Sequence, residues 1–266
     1  MSRLIAVLLG LLLLAPVRAG ELRLLAAELP PYTFRVPSGS VSEFPGPGRG
    51  IVFDVVTALA QRVGQSAVIE FMPWHRAQQI AMSEPDVGIL ALTRTPERED
   101  KYRWLVKILT DDLVLVGGRG VDVSSLDKVK DRPTGVLLRS GAQALLEGKG
   151  FSRIVPAPEE WMNARRLRER RIDAWLAPRL MVIYAYREIG GDPASLDIGA
   201  IVRPSEIWLA ASKSLPDAQA RQWQQAFEAM RADGSYERIV AEYNRLKVEP
   251  VADDARRKDY EPVWTY

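Results

Sequence analysis

The fold of this 266-residue chain is decided by the stretch DVGILALTRTPER, residues 86–98. Its first half is an almost uninterrupted apolar run, residues 87–92, and its second half is polar and charged. Such a run is typical of a strand in a parallel sheet, because helices cover both faces of that sheet. Ligands of open parallel sheets bind just beyond the carboxyl ends of the strands. The stretch therefore predicts an α/β fold with a binding site near Thr93 and Arg98.

Short apolar runs alternate with amphipathic helical patterns along the rest of the chain, which indicates βαβ construction. The predicted strands cover 22–27, 66–71, 87–92, 113–116, 134–138, 174–176 and 206–211. The predicted helices begin near 53, 76, 141, 163, 217 and 236. The segment 36–50 is rich in Pro, Gly and Ser, so we expect an exposed loop there.

Composition excludes several classes of protein. Apolar residues make up 47% and charged residues 26%, as in ordinary globular proteins and unlike disordered or rod-like chains. The formal charge of +2 gives no electrostatic reason to expect a nucleic-acid partner. The chain has no cysteine, which excludes thiolate metal sites, and a single histidine, His75, which leaves almost no room for a His-rich metal site or a Ser-His-Asp triad. We therefore predict no metal, no cofactor and no catalytic residue.

The first nineteen residues have the pattern of a secretory signal peptide. Arg3 precedes an apolar run at 4–15, and Val17 and Ala19 supply small residues at the −3 and −1 positions. The alternative is a retained membrane anchor, but that run is shorter than the roughly 20 residues that span a bilayer. We expect cleavage after Ala19. Without a cysteine for lipidation, the exported product is predicted to be periplasmic.

Two turns after strands are candidate anion sites. Arg98 offers a planar guanidinium suited to a carboxylate, and Thr93 offers a hydroxyl. The alternative is that Arg98 is a solvated charge at the start of a helix. Ser140 and Gly141 follow the strand 134–138 and open a helix, whose N-terminus favours an anion. The alternative there is an ordinary strand-to-helix turn.

Two aromatic residues also follow predicted strands, Tyr32 after the first and Trp74 after the second. Aromatic side chains at strand ends can form the wall of a small-molecule pocket. Packing in the core or at its rim is equally compatible with their positions. The charged run 165–171 covers several faces of one helix, which favours a solvated surface over a partner site.

Several segments occur in the order and spacing of a known family: LPPYTF at 29–34, GIVFDV at 50–55, DVGILAL at 86–92, TRTPER at 93–98, RIDA at 171–174 and DGSY at 233–236. In these segments the chain resembles the bacterial extracellular solute-binding proteins of family 3, the polar amino-acid type. The likeness covers about residues 21–243.

The resemblance implies a type II periplasmic-binding-protein fold, in which a cleft lies between two α/β lobes joined by two crossing segments. The expected crossings lie near 109–113 and 203–206. The expected boundaries are lobe 1 at 20–110 plus 205–245, lobe 2 at 111–204 and a C-terminal tail at 246–266.

The resemblance also implies roles for the candidate residues. Arg98 corresponds to the arginine that binds the ligand carboxylate, and Thr93, Ser140 and Gly141 complete its hydrogen bonds. Tyr32 and Trp74 correspond to the aromatic wall. The implied protein is a monomeric receptor that closes on a small carboxylate-bearing ligand, an amino acid or a relative, and delivers it to an inner-membrane ABC permease.

The chain departs from the family pattern at two places. Pro178 stands where amino-acid binders carry the Asp that holds the ligand ammonium, and Arg139 stands where the family usually has Gly. Glu159 and Glu160 are the candidate substitutes for that Asp. Two other functions stay open: a dehydratase on the same scaffold, with Glu159, Glu160 or His75 as acid or base, and a sensing subunit for a membrane receptor.

Overall fold

A computed structural model of the chain describes residues 20–35 and 48–244. The strands are β1 Arg23–Ala26, β2 Phe34–Arg35, β3 Gly48–Arg49, β4 Ile69–Phe71, β5 Val87–Thr93, β6 Tyr102–Gly117, β7 Thr134–Leu137, β8 Ile154–Ala157, β9 Ala174–Pro178 and β10 Asp197–Ser212. The helices are α1 Ile51–Arg62, α2 Trp74–Ser83, α3 Gly141–Gly148, α4 Glu160–Arg168, α5 Arg179–Glu188, α6 Asp217–Ala232 and α7 Ser235–Asn244. The predicted signal peptide, most of the predicted loop 36–50 and the tail 246–266 lie outside the described residues.

Eight strands form one sheet in the order β4-β1-β5-β10-β6-β9-β7-β8. β1 pairs in parallel with β4 and β5, and β7 pairs in parallel with β8 and β9. The two central strands, β6 and β10, are antiparallel to each other. The molecule therefore has two α/β halves with parallel strands, as predicted. We call the half with β1, β4 and β5 lobe 1 and the half with β7, β8 and β9 lobe 2.

The two halves are connected through β6 and β10, which are 16 residues long each. The two strands pair with each other at the boundary between the halves, where Asp111 lies opposite Ser205 and Leu113 opposite Arg203. The predicted crossing segments thus lie side by side. The sequence predicted only the end of each strand, 113–116 and 206–211. A strand that passes from one half to the other has no single core face, so its burial does not alternate regularly.

Other boundaries also differ from the prediction. Helix α4 begins at Glu160 and ends at Arg168, because Arg170 takes the left-handed φ of 59° that ends the helical geometry. Helix α5 and strand β8 were not predicted. Nearly every residue in the first two turns of α5 is buried, so the helix lacks the polar face that makes a helical period visible.

Each half has apolar cores on both faces of the sheet. In lobe 1 the larger core packs α1, α6 and α7 against the sheet, and the smaller one packs α2 against the other face. Lobe 2 has one core on each side of β7 and β9. Because close-packed cores hold the strand ends in place, the residues that follow them are fixed relative to one another.

Candidate ligand-binding cleft

A cleft of about 550 Å³, part of which is open to solvent, lies between the two halves at the carboxyl ends of their strands. This volume is in the range of small-molecule sites. All six residues proposed from the sequence line it: Tyr32, Trp74, Thr93 and Arg98 from lobe 1, and Ser140 and Gly141 from lobe 2. The structure brings these residues together, and their binding of a ligand stays a prediction.

Arg98 lies in a single 3-10 turn, Pro96–Arg98, directly after β5. Its Nη1 donates to the Thr93 carbonyl at 3.1 Å, and its Nη2 donates to Gln78 Oε1 at 2.9 Å and to the Arg139 carbonyl at 3.4 Å. These acceptors are all uncharged. Burial lowers the pKa of the guanidinium, and this effect outweighs those of nearby Tyr102 and Glu97.

The neighbouring Arg94 is placed differently. It does not line the cleft. Its guanidinium stacks on Trp104 and Trp208, 5.4 and 4.8 Å from the ring centroids, and forms an ion pair with Glu99. Of the two arginines in the motif, the one that the resemblance selected is therefore the one in the cleft.

Lobe 2 presents the N-terminus of α3 to Arg98. Ser140 is the N-cap, and its Oγ accepts a hydrogen bond from the Gln143 amide at 3.1 Å. A Cβ atom on Gly141 would lie 3.3 Å from Thr95 Cγ2 and 4.0 Å from Arg98 Nη1. The two halves thus meet at Gly141, and the partial positive charge of the helix N-terminus faces the cleft.

On one side of the cleft, the aromatic residue Tyr32 is held in place by the crossing strand β6. Tyr32 is only 2% exposed, and its hydroxyl donates to Asp111 Oδ2 at 2.5 Å. The buried Asp111 carboxylate also accepts the backbone amides of Leu180, at 3.0 Å, and Asp112, at 2.8 Å. Burial raises the pKa of Asp111 to about 6. Asp111 on the crossing strand therefore ties Tyr32 of lobe 1 to the start of α5 in lobe 2.

Trp74, on the other side, begins α2 and is partly buried. Its Nε1 atom is buried and has no hydrogen-bond partner among the described residues. A buried donor without an acceptor costs about 1–3 kcal/mol. An acceptor atom of a ligand would satisfy it.

Glu160 is the acidic group in the lobe 2 wall. It is 6% exposed, and its Oε2 accepts from Asn163 Nδ2 at 2.8 Å and from Trp175 Nε1 at 2.9 Å. Burial raises its pKa to about 7. Pro178 lines the same wall at the end of β9. Glu159 and His75, the other acid–base candidates, are exposed and do not line the cleft.

Sequence reasoning missed two polar residues of the cleft, Arg203 and Ser205 on β10. Nη2 of Arg203 lies 3.9 Å from the Cβ position of Gly141, close to where Arg98 Nη1 also ends. Arg203 is thus a second cation in the cleft, beside Arg98. It was missed because the predicted strand began three residues later.

Two further observations concern the described part of the chain. Residues 20–35 and 48–244 contain no group of three His, Asp or Glu side chains arranged to hold a metal ion. None of the helices in these ranges combines the length and the apolar character that crossing a membrane requires.

Comparison with known proteins gives a family and a fold. The family model described as bacterial extracellular solute-binding proteins, family 3, matches residues 24–245. None of the curated proteins matches the sequence.

Similar solved structures include an ancestral arginine-binding protein bound to arginine, at 19% identity and a TM-score of 0.71 over 85% of this chain and 99% of that one. An ABC uptake transporter substrate-binding protein from Streptococcus pneumoniae with bound histidine has 17% identity and a TM-score of 0.72, over 87% and 94%. A histidine kinase sensor domain with similarity to periplasmic binding proteins has 16% identity and a TM-score of 0.72, over 84% of this chain and 96% of that one. At these identities the likeness shows the fold, and the predicted type II periplasmic-binding fold is confirmed.

Proposed function

Since the chain belongs to the bacterial extracellular solute-binding proteins of family 3, we propose that it is a monomeric periplasmic receptor that captures a small carboxylate-bearing ligand, an amino acid or a relative, and delivers it to an inner-membrane ABC permease. The ligand would lie in the cleft between the two lobes.

The observation that carries this proposal is the state of Arg98. Its guanidinium lies in the cleft, is held by three neutral acceptors, and has no described acidic residue within ion-pair distance. A partly buried cation held in this way is stabilised by an anion, and a carboxylate matches the planar guanidinium. The α3 N-terminus at Ser140 and Gly141 faces the same point and favours the same charge.

The uncharged parts of the site complete the recognition of a small ligand. Trp74 Nε1 is the buried donor that needs an acceptor. Thr93 offers a hydroxyl at the end of β5, and the Tyr32 ring is held in place by Asp111. Together these groups enclose one polar head and leave an apolar wall for the remainder of the ligand.

Closure would follow from contacts that exist in one arrangement of the lobes. Arg98 and Gln78 of lobe 1 both donate to the Arg139 carbonyl of lobe 2, at 3.4 and 3.5 Å. A ligand that contacts both walls stabilises the closed arrangement by its differential affinity for it.

A ligand screen tests the proposal. Thermal-shift measurements with amino acids, polyamines and small organic acids should identify carboxylates that raise the melting temperature, because a ligand that binds the native state alone stabilises it. In calorimetry with such a ligand, Arg98→Ala should lower the affinity about 30-fold or more, since breaking a buried charge pair costs about 2–5 kcal/mol.

Arg94→Ala is the matched control, because it removes an arginine of the same motif that lies outside the cleft. Arg94→Ala should keep the wild-type affinity. Wild-type affinity in Arg98→Ala, or no binding of any carboxylate by the wild-type protein, would contradict the assignment of Arg98 as the carboxylate-binding residue. Uptake of the labelled ligand by cells with and without this gene distinguishes import from sensing.

One observation favours a second candidate, the dehydratase. Glu160 is a buried carboxyl in the cleft with a pKa of about 7, which suits a general acid at neutral pH. Incubation of the protein with cyclic hydroxy acids that become aromatic on loss of water, followed by absorbance of the aromatic product, tests this activity. Turnover that Glu160→Gln abolishes would replace the receptor proposal.

A further inference from the structure

Arg203 is a cation of the cleft whose donors are all unused within the described chain. It lies on β10 at the boundary between the halves, opposite Leu113 of β6, and it is partly buried. No described residue accepts a hydrogen bond from its guanidinium or forms an ion pair with it. Because arginine carries five N–H donors in a planar fork, Arg203 can bind an anionic group of a ligand through two hydrogen bonds.

The donors of Arg98, by contrast, are largely occupied. Its two Nη atoms already donate three hydrogen bonds, to Gln78 and to the carbonyls of Thr93 and Arg139. The donors that remain are Nε–H and one N–H of Nη1, which suffice for one carboxylate. A second anionic group in the cleft would find its donors on Arg203.

The two guanidinium groups end near the same point. Nη1 of Arg98 and Nη2 of Arg203 lie 4.0 and 3.9 Å from the Cβ position of Gly141, the first residue of α3. Burial lowers the pKa of the Arg98 guanidinium and the charge of Arg203 lowers it further, so the two cations repel each other. Glu97, whose charge acts on both arginines, is exposed and does not line the cleft.

The lining of the cleft therefore carries an excess of positive charge. Among the described residues that line it, Arg98 and Arg203 are permanent cations and Glu160 is the one carboxylic acid. Burial raises the pKa of Glu160 to about 7, so at neutral pH this residue offsets only part of one positive charge. The N-terminus of α3 adds a partial positive charge. A ligand with two negative charges balances this excess, whereas a zwitterion or a monoanion does not.

We propose that Arg203 is a second anion-binding residue, through which the receptor selects short dicarboxylates over monocarboxylates. This rests on the proposed function, in which Arg98 and the N-terminus of α3 hold the first carboxylate. The second carboxylate would lie against the Arg203 guanidinium. Because both guanidinium groups end near the Cβ position of Gly141, the two carboxylates must be close together, separated by one or two carbon atoms.

The experiment compares each diacid with its own monoamide, which has nearly the same size and shape but one negative charge fewer. The probes are malonate with malonamate, succinate with succinamate, and L-aspartate with L-asparagine. They are measured by calorimetry at pH 7.5, where the carboxylates are ionised. The wild-type protein should bind at least one diacid about 10-fold or more tightly than its monoamide, because only the diacid gives Arg203 a charged acceptor.

Variants of Arg203 show whether this residue is the cause of the preference. Arg203→Gln should lower affinity for the diacid about 10-fold or more and leave the monoamide within about 3-fold. Arg203→Lys keeps the charge without the planar fork and should retain part of the preference. Arg94→Gln removes an arginine that lies outside the cleft and should change neither ligand. Without ligand, Arg203→Gln should melt within about 2 °C of the wild-type protein, because Arg203 has no described partner to lose.

Three results would overturn the proposal. The first is equal affinity of the wild-type protein for every diacid and its monoamide, and the second is binding of monocarboxylates with no binding of the three diacids. The third is an equal loss for both ligands of a pair in Arg203→Gln, which would show that Arg98 and Arg203 bind a single carboxylate together. The wild-type comparison decides the question even where a variant does not fold.

The two proposals fail in different ways. If carboxylates bind and depend on Arg98 but the second charge makes no difference, the role of Arg203 is wrong and the receptor proposal stands. If no carboxylate binds the wild-type protein, both are wrong.

Discussion

The two walls of the cleft differ in the kind of charge they carry. The lobe 1 wall presents Arg98, a permanent cation that belongs to a motif visible in the sequence. Three hydrogen bonds hold it, one to Thr93 in the same motif and two to Gln78 and Arg139 outside it. The lobe 2 wall presents a helix N-terminus at Ser140 and the carboxyl of Glu160, whose protonation changes near neutral pH. It also carries both departures from the family pattern, Arg139 and Pro178. The difference suggests that lobe 1 anchors the ligand and that lobe 2 determines which ligand is accepted.

The largest effect is expected from a substitution that keeps the two walls apart, because it tests whether the ligand needs both of them. Gly141 lies where they meet, and Thr95 Cγ2 is already 3.3 Å from its Cβ position. Gly141→Leu would fill the space between Thr95 and the two arginines and prevent closure. Because apparent affinity falls with the population of the closed form, we expect a loss of about 100-fold or more in calorimetry.

Helix α3 provides the control for this substitution. No atom lies within 4 Å of the Cβ position of Gly148, near the other end of the same helix, so Gly148→Leu should leave affinity unchanged. Both variants should melt within about 2 °C of the wild-type protein without ligand, since the Gly141 contact lies between lobes rather than within one. Wild-type affinity in Gly141→Leu would show that the ligand does not need both walls.

The part of the site that the sequence predicts lies where local chemistry decides the structure. Thr93 is the last residue of a strand, and Tyr32, Trp74, Arg98, Ser140 and Gly141 follow strands. Short turns after strands are determined by residues close in the chain. The sequence named Glu159 and Glu160 together, and only the tertiary structure shows that Glu160 is the one that lines the cleft, whereas Arg203 was not predicted. The burial of Glu160 depends on Trp175, fifteen residues away, and Arg203 lies on a strand whose polar half has no regular pattern.

The same reasoning accounts for what the sequence predicted of the fold. The buried run at 87–92 and its helical neighbours were visible because each keeps one core face throughout. The crossing strands β6 and β10 were found only in part, because they leave one core and enter another. Helix α5 was missed because burial on most of its sides removes the helical period.

A smaller effect is expected at the Tyr32–Asp111 hydrogen bond, which ties lobe 1 to the crossing strand β6. Tyr32→Phe removes one of three donors from the buried Asp111 carboxylate. The pKa of Asp111, about 6, is above its ordinary 3.8, so the folded protein holds a proton that the unfolded chain loses. Wild-type stability from this group therefore falls as pH rises from about 4 to 6. Since the Tyr32 hydrogen bond lowers this pKa, its loss extends the fall to higher pH.

Urea denaturation at two pH values measures this effect. At pH 8, where Asp111 is ionised, Tyr32→Phe should cost about 1–3 kcal/mol. At pH 5, where the folded protein keeps Asp111 protonated, the cost should be smaller. Tyr184→Phe is the control, because no described residue hydrogen-bonds the Tyr184 hydroxyl, and it should cost less at pH 8. Equal costs at both pH values for Tyr32→Phe would mean that Asp111 does not titrate as its burial requires.

The smallest effect is expected at Arg139. It tests whether the Arg139 side chain on lobe 2, unlike Arg98 on lobe 1, is dispensable for ligand binding. The Arg139 side chain is exposed, whereas its backbone carbonyl accepts the hydrogen bonds from Arg98 and Gln78. Alanine keeps that carbonyl, so Arg139→Ala should leave ligand affinity within about 2-fold and stability within about 0.5 kcal/mol. Arg139→Gly should stabilise by at most about 1 kcal/mol, because the φ of 56° favours glycine while the unfolded chain gains freedom. A large loss of affinity in Arg139→Ala, measured beside Arg98→Ala, would show that the Arg139 side chain helps to bind the anion and contradict the assignment of the charge-pairing cation to Arg98 of lobe 1.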